Sequence, residues 1–190
     1  MKSLLFSPGP VMVEAPVREA LMHYDICHRS PEFEEMFAGL QEKIKRLFQA
    51  DDSYYSLVIS GSGTSANETC LSSVFKPGDM ALLLNNGEFG GRLDEILTKY
   101  SVPTVRIEPG WANTFDMAQV EQALKEHPAI TFICMVFHET STSMINPVHE
   151  VGLLAKKYGK RLFVDCVSAA AGQFIDVVNN NIDICTSVGG

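Results

Sequence analysis

The sequence has no cysteine pair spaced as CxxC, no apolar run approaching membrane-spanning length and no excess of positive charge. Each absence removes a class of function. The five cysteines, Cys27, Cys70, Cys134, Cys166 and Cys185, are scattered and odd in number, and several sit inside apolar runs. They read as buried thiols in a reducing compartment, the cytoplasm, rather than as a disulfide framework or a zinc site, and no metal is expected. Without a long apolar run there is no membrane span to place. A net charge of −8 argues against nucleic acid as a partner, whose binding surfaces are normally basic. The opening "MKSLLFSPGP" has one lysine and an apolar patch broken by prolines, a poor secretory signal. No internal repeat, low-complexity tract or linker stands out.

What is there fits one domain with a substantial core. Hydrophobic residues make up 46% of the 190 and charged residues 20%. Apolar runs of strand length recur as "YYSLVIS", "MALLLN", "TVRIE", "TFICMVF", "RLFVDC" and "IDICTS". They are continuous rather than alternating, as expected for strands covered on both faces of a parallel sheet. Helical patterns lie between them. "SPEFEEMFAGLQEKIKRLFQA" offers Ser30 as N-cap and Pro31 as first helical residue, with Phe33, Phe37, Leu40, Ile44, Leu47 and Phe48 on one face. "DMAQVEQALKEHP" opens on a capping-box pattern of Asp116 and Gln119. "NPVHEVGLLAKKYGK" starts at Asn146 and Pro147 and ends at Gly159. Strand alternating with helix predicts an α/β doubly wound, mostly parallel sheet with helices on both faces. Residues 1–30 fit no such unit and read as an N-terminal arm, and 31–190 as the domain.

Ligands of such sheets gather at the carboxyl ends of the strands. Those ends read "SGSGT", "NNGEFGGR", "HETSTS" and "DCVSA". Gly61-Ser62-Gly63-Thr64 suits a phosphate at a helix N-terminus, or is simply a tight turn. It also fits GxGxxA, ending at Ala66, but the next strand closes in Asn85 and Asn86 where a dinucleotide ribose wants an acid. No Gly-Lys-Ser/Thr follows, which excludes the P-loop. Phe89 sits among glycines, free to stack on a flat ligand or to pack back into the core. Arg92 fits an anion or a surface ion pair. Asp165 ends a hydrophobic strand, so its carboxylate needs a metal, a protonated heteroaromatic nitrogen or structural hydrogen-bond donors. His138, Glu139, Thr140 and Thr142 offer acid–base and hydroxyl groups. His28 lies ahead of the first long helix, on the surface or at a site.

A phosphate turn, an aromatic and a buried aspartate at successive strand ends look like a pyridoxal phosphate site. The chain resembles the class V aminotransferases of fold type I, such as the alanine–glyoxylate, serine–pyruvate and 2-aminoethylphosphonate–pyruvate enzymes. The resemblance runs in order through "SPGP", "HRSPEF", "GSGTSANE", "NNGEFGGR", "HETSTSMINPV", "VDCVSAAAG" and "NIDICTSVGG". It implies that Ser62, Gly63 and Thr64 hold the cofactor phosphate and that Phe89 stacks on the pyridine ring. It further implies that Asp165 pairs with the ring nitrogen and Thr140 meets the ring oxygen or edge. Pro8 and Gly9 would border the substrate pocket.

The implied reaction is ping-pong transfer of an amino group from a small donor (alanine, serine or 2-aminoethylphosphonate) to glyoxylate or pyruvate, by a homodimer. In this family the cofactor-bonding lysine follows the aspartate of the "IDICTS"-like strand by eight residues. From Asp183 that gives position 191, one past Gly190. The rest of the large domain and a small C-terminal domain with a substrate-binding arginine are expected beyond it. Other readings are a cysteine desulfurase-like enzyme or lyase of the same fold, and a nicotinamide-dependent oxidoreductase. "CHRSPEF" leans toward the alanine and serine enzymes, while "MINPVHEVGLLAKKYGK" and "NNGEFGGR" are close to the phosphonate enzymes as well.

Overall fold

A computed structural model describes residues 4, 5, 7, 9 and 11–189. The helices are α1 (Ala15–Glu19), α2 (Pro31–Leu47), α3 (Gly63–Val74), α4 (Glu88–Lys99), α5 (Met117–Glu126) and α6 (Val148–Lys157). The strands are β1 (Met80–Leu84), β2 (Thr104–Ile107), β3 (Ile130–Val136), β4 (His138–Glu139), β5 (Met144–Ile145), β6 (Arg161–Asp165) and β7 (Ile184–Thr186). Five strands form one sheet in the order β2-β1-β3-β6-β7, and every neighbouring pair is parallel. β4 and β5 form a short antiparallel hairpin directly after β3.

The sheet is covered on both faces, and the period-two alternation of strand side chains divides the core accordingly. Leu82, Leu84, Ile133, Met135, Leu162 and Val164 face α5 and α6. Ala81, Leu83, Phe132, Cys134, Val136 and Phe163 face α3 and α4. This explains why the strands read as continuous apolar runs: both alternate sets are buried. From β1 the chain crosses to β2 on one side, then returns past β1 to β3 on the other. The reversal places a crevice above the carboxyl ends of β1 and β3, where open α/β sheets bind ligands.

Several local expectations hold. Ser30 Oγ accepts the Phe33 N–H at 3.2 Å, with Pro31 opening α2. Asp116 caps α5 by accepting the Ala118 N–H at 2.9 Å. Gly159 follows α6 with φ of 62°.

Others are corrected. "YYSLVIS" forms no strand: residues 54–59 carry no regular structure, and Tyr55 and Leu57 are 90% and 86% exposed. A strand needs a neighbouring backbone. Among the described residues none runs beside this segment, which α2 holds through Gln41 and Ser56. Asn146 does not cap α6, because its buried amide is taken by the Val136 carbonyl and by Asn86. Cys134 and Cys166 are buried and Cys70 and Cys185 partly so, but Cys27 is exposed, and all five thiols are free. Residues 11–25 are exposed throughout. Among the described residues no helix is long and apolar enough to cross a membrane.

Candidate active site

The turn before α3 builds an anion cradle from backbone. Ser62 is extended and serves as N-cap, its Oγ accepting the Ser65 N–H at 3.2 Å. The Ala66 N–H bonds to the Ser62 carbonyl. The N–H groups of Gly63 and Thr64 are thus the two of the first turn left without an intrahelical acceptor. They project from the positive end of a twelve-residue helix. A side chain at Gly63 would run into Val167, because a Cβ there would lie 2.7 Å from one of its methyl groups. Glycine at this position lets α3 close on the loop after β6.

That loop begins at Asp165, the last residue of β6 and only 5% exposed. Its Oδ2 accepts from Asn67 Nδ2 at 2.6 Å and its Oδ1 from the Val167 N–H at 2.9 Å. Asn67 is in turn fixed by Thr186 of β7, whose hydroxyl donates to Asn67 Oδ1 at 2.5 Å. Both donors to the carboxylate are neutral, and among the described residues no cation pairs with it. Burial pushes the Asp165 carboxyl above its ordinary value, and the nearby charge of Glu139 adds to the rise, while the Val167 N–H and the Asn67 amide oppose it. A cation placed against it would relieve that cost.

Phe89 stands in the first turn of α4, half-buried against the sheet cluster. Its ring both packs on the core and lines the cavity, so the two readings of this residue merge. The Arg92 guanidinium lies 4.9 Å from the ring centroid and makes a 3.8 Å pair with Glu88. Across the cavity Thr140 Oγ1 donates to Ser168 Oγ at 2.7 Å, and Ser168 Oγ lies 2.7 Å from His138 Nδ1.

These parts converge on one cavity of about 360 Å³. Gly9, Ser62, Gly63, Thr64, Phe89, Thr140 and Asp165 all line it; Pro8 lies outside the described residues. Arg92 and His138 join the lining. His28 does not: it is exposed, beside Arg29. Sequence reasoning missed Asn67, Val167 and Ser168, which also line the cavity. Asn67 was legible in principle, one helical turn beyond Gly63 and so on the same face of α3. Glu139, whose residue type suggests only an acid–base group, is wholly buried.

The family model described as Aminotransferase class-V matches residues 5–189. The chain belongs to the class V aminotransferases. Among its relatives, a 2-aminoethylphosphonate–pyruvate transaminase of Klebsiella pneumoniae is 34% identical over 97% of this chain and 50% of its own length. An uncharacterized aminotransferase of Methanocaldococcus jannaschii is 32% identical over 98% of this chain and 48% of its own. In solved structures, an alanine–glyoxylate aminotransferase from Nostoc sp. superposes with a TM-score of 0.91 at 28% identity, over 97% of this chain and 48% of that one. The chain therefore spans about half the length of the curated relatives it matches.

Class V aminotransferases depend on pyridoxal phosphate. The residues present fit that group. Two N–H groups without an intrahelical acceptor and the hydroxyls of Ser62 and Thr64 suit a phosphate dianion, and a partly buried phenyl ring suits a flat heterocycle. A buried carboxylate with only neutral donors suits a protonated ring nitrogen.

Proposed function

We propose that the protein is a pyridoxal-phosphate-dependent transaminase, acting on a small amino donor and a small 2-oxo acid. The donor is alanine, serine or 2-aminoethylphosphonate, and the acceptor glyoxylate or pyruvate. The observation that carries the reading is Asp165, a buried carboxylate opening onto a cavity that also presents an anion cradle and an aromatic face. When bound, the cofactor supplies an electron sink for the pair left on the substrate carbon once its proton departs. The chain's own residues do the rest. The Gly63 and Thr64 N–H groups and the Ser62 and Thr64 hydroxyls anchor the phosphate. Phe89 fixes the plane of the ring. Asp165 keeps the ring nitrogen protonated, which a neutral side chain could not do. Thr140, oriented by Ser168, meets the ring oxygen or the adjacent ring edge, and Gly9 borders the substrate space.

The lysine expected at position 191 completes the set, as the group that bonds the cofactor and carries the substrate proton in a ping-pong cycle. The remainder of the large domain and a small domain with a substrate-binding arginine belong to the same reading. We further place the protein in the cytoplasm, a compartment that suits five free thiols. We assign it as a homodimer, supported by the exposed apolar side chains Val11, Val17, Leu21 and Met22 of the arm. An active monomer in sedimentation would refute the dimer.

The test is to supply the complete protein with each of the three donors against glyoxylate and pyruvate, and to follow the new amino acid and keto product. Donor-dependent amino transfer with ping-pong kinetics is expected. Tight cofactor binding without amino transfer from any donor would sink the transaminase reading in favour of a lyase or desulfurase.

A further inference from the structure

Four helices show how this chain closes an N-terminus. α2, α3 and α5 are capped locally, by Ser30, Ser62 and Asp116. α4 is not: its N-cap is Gly87, which has no side chain to offer. Its donors are instead satisfied from the β4–β5 hairpin, some fifty residues on in sequence. Glu139 Oε2 accepts the N–H groups of Phe89 at 3.1 Å and Gly90 at 3.0 Å. Ser141 Oγ accepts the Glu88 N–H at 3.0 Å and itself donates to Glu139 Oε1. Glu139 is 0% exposed. A methyl group at Gly87 would collide with its carboxylate, so that glycine makes room for it.

Capping alone does not call for this. A serine or aspartate at position 87 would cap α4 locally without burying a distant charge, and an isolated buried carboxylate is costly. What the long-range cap adds is a rigid tie between two walls of one cavity. Phe89, on one wall, is bonded through its own backbone N–H to the residue that precedes Thr140 on the other. Resting on the assignment of that cavity to the cofactor, we infer that Glu139 is a positioning residue, whose carboxylate fixes the first turn of α4 and thereby the Phe89 ring against the cofactor. It touches neither cofactor nor substrate in this role. Its effect passes through Phe89.

Action through another residue has a distinctive signature, non-additivity. The apo form of the complete protein is titrated with pyridoxal phosphate as wild type, Glu139→Gln, Phe89→Ala and the double variant. The visible circular dichroism of the bound cofactor is recorded as a readout of ring orientation. Glu139→Gln keeps the shape but turns an amide donor toward N–H donors. It should weaken binding by about tenfold and change the visible dichroism. The double variant should bind no worse than Phe89→Ala alone. If Glu139→Gln does not fold, Gly87→Ala, which crowds the same carboxylate, takes its place in the cycle with the same expectation. Losses that add in full, or wild-type affinity and dichroism in both Glu139→Gln and Gly87→Ala, would overturn the inference. A wild type that binds no pyridoxal phosphate would instead overturn the cavity assignment itself, and this inference with it.

Discussion

The loop after β6 and the hairpin after β3 each bury one carboxylate beside the same cavity, and they treat it in opposite ways. Glu139 is saturated: backbone N–H groups and a serine hydroxyl reach both of its oxygens. Asp165 has one neutral donor per oxygen and opens onto the cavity. The first arrangement uses a charge to hold two loops together. The second leaves a charge in want of a cation. Two acids of similar burial are thus told apart by their donors, and only the under-satisfied one has the character of a ligand-binding group.

Removing each charge in turn separates the two roles. Asp165→Asn should cost about 3 kcal/mol or more of pyridoxal phosphate affinity, the scale of uncompensating a buried ion pair, measured by titrating the apo form of the complete protein. Its apo stability should change far less. Glu139→Gln should do the reverse in emphasis, lowering apo stability by about 2 kcal/mol in denaturant unfolding, because one of the two oxygens that accept from α4 and from Ser141 becomes an amide donor. Equal stability losses in the two variants would erase the distinction. Thr64→Ala belongs to neither acid and should weaken cofactor retention by about 1 kcal/mol, with no change in apo stability.

A smaller effect is readable from pH. The Asp165 carboxyl titrates above its ordinary value of 3.8 in the folded apo-protein, chiefly through burial. The fold therefore holds that proton more tightly than the unfolded chain does. The associated stability is fully present below 3.8 and is lost as pH rises through the raised folded value. Asp165→Asn has no titrating group at this position. The stability difference between wild type and variant should thus move in the variant's favour as pH climbs across that window. A difference that stays flat would show that Asp165 is not a burdened acid.

Much of this was legible from residues alone. The sheet, its parallel pairing and the clustering of Phe89, Thr140 and Asp165 follow from apolar runs that each stop in a polar turn; Thr64 reaches the same cavity from the first turn of α3, although the run ahead of it is not a strand. Two kinds of fact were not legible. "YYSLVIS" and "TFICMVF" are both apolar runs of strand length, yet the second lies between β1 and β6 with both faces covered, and the first has no strand beside it among the described residues. Composition reports what a strand would bury, not whether a neighbour exists to pair with it. The role of Glu139 was hidden for a related reason. Its partners are backbone N–H groups, which every residue but proline has, brought near by the packing of α4 against the hairpin. Asn67 acts through contacts 98 and 119 residues away, with Asp165 and Thr186.

The role proposed for Asp165 is to hold a protonated ring nitrogen in this cavity. Pyridoxal phosphate labelled with nitrogen-15 in its ring, bound to the complete wild-type protein and to Asp165→Asn, tests it by nuclear magnetic resonance. The ring nitrogen should be protonated in the wild type at neutral pH and unprotonated in the variant. The same protonation state in both proteins would contradict it.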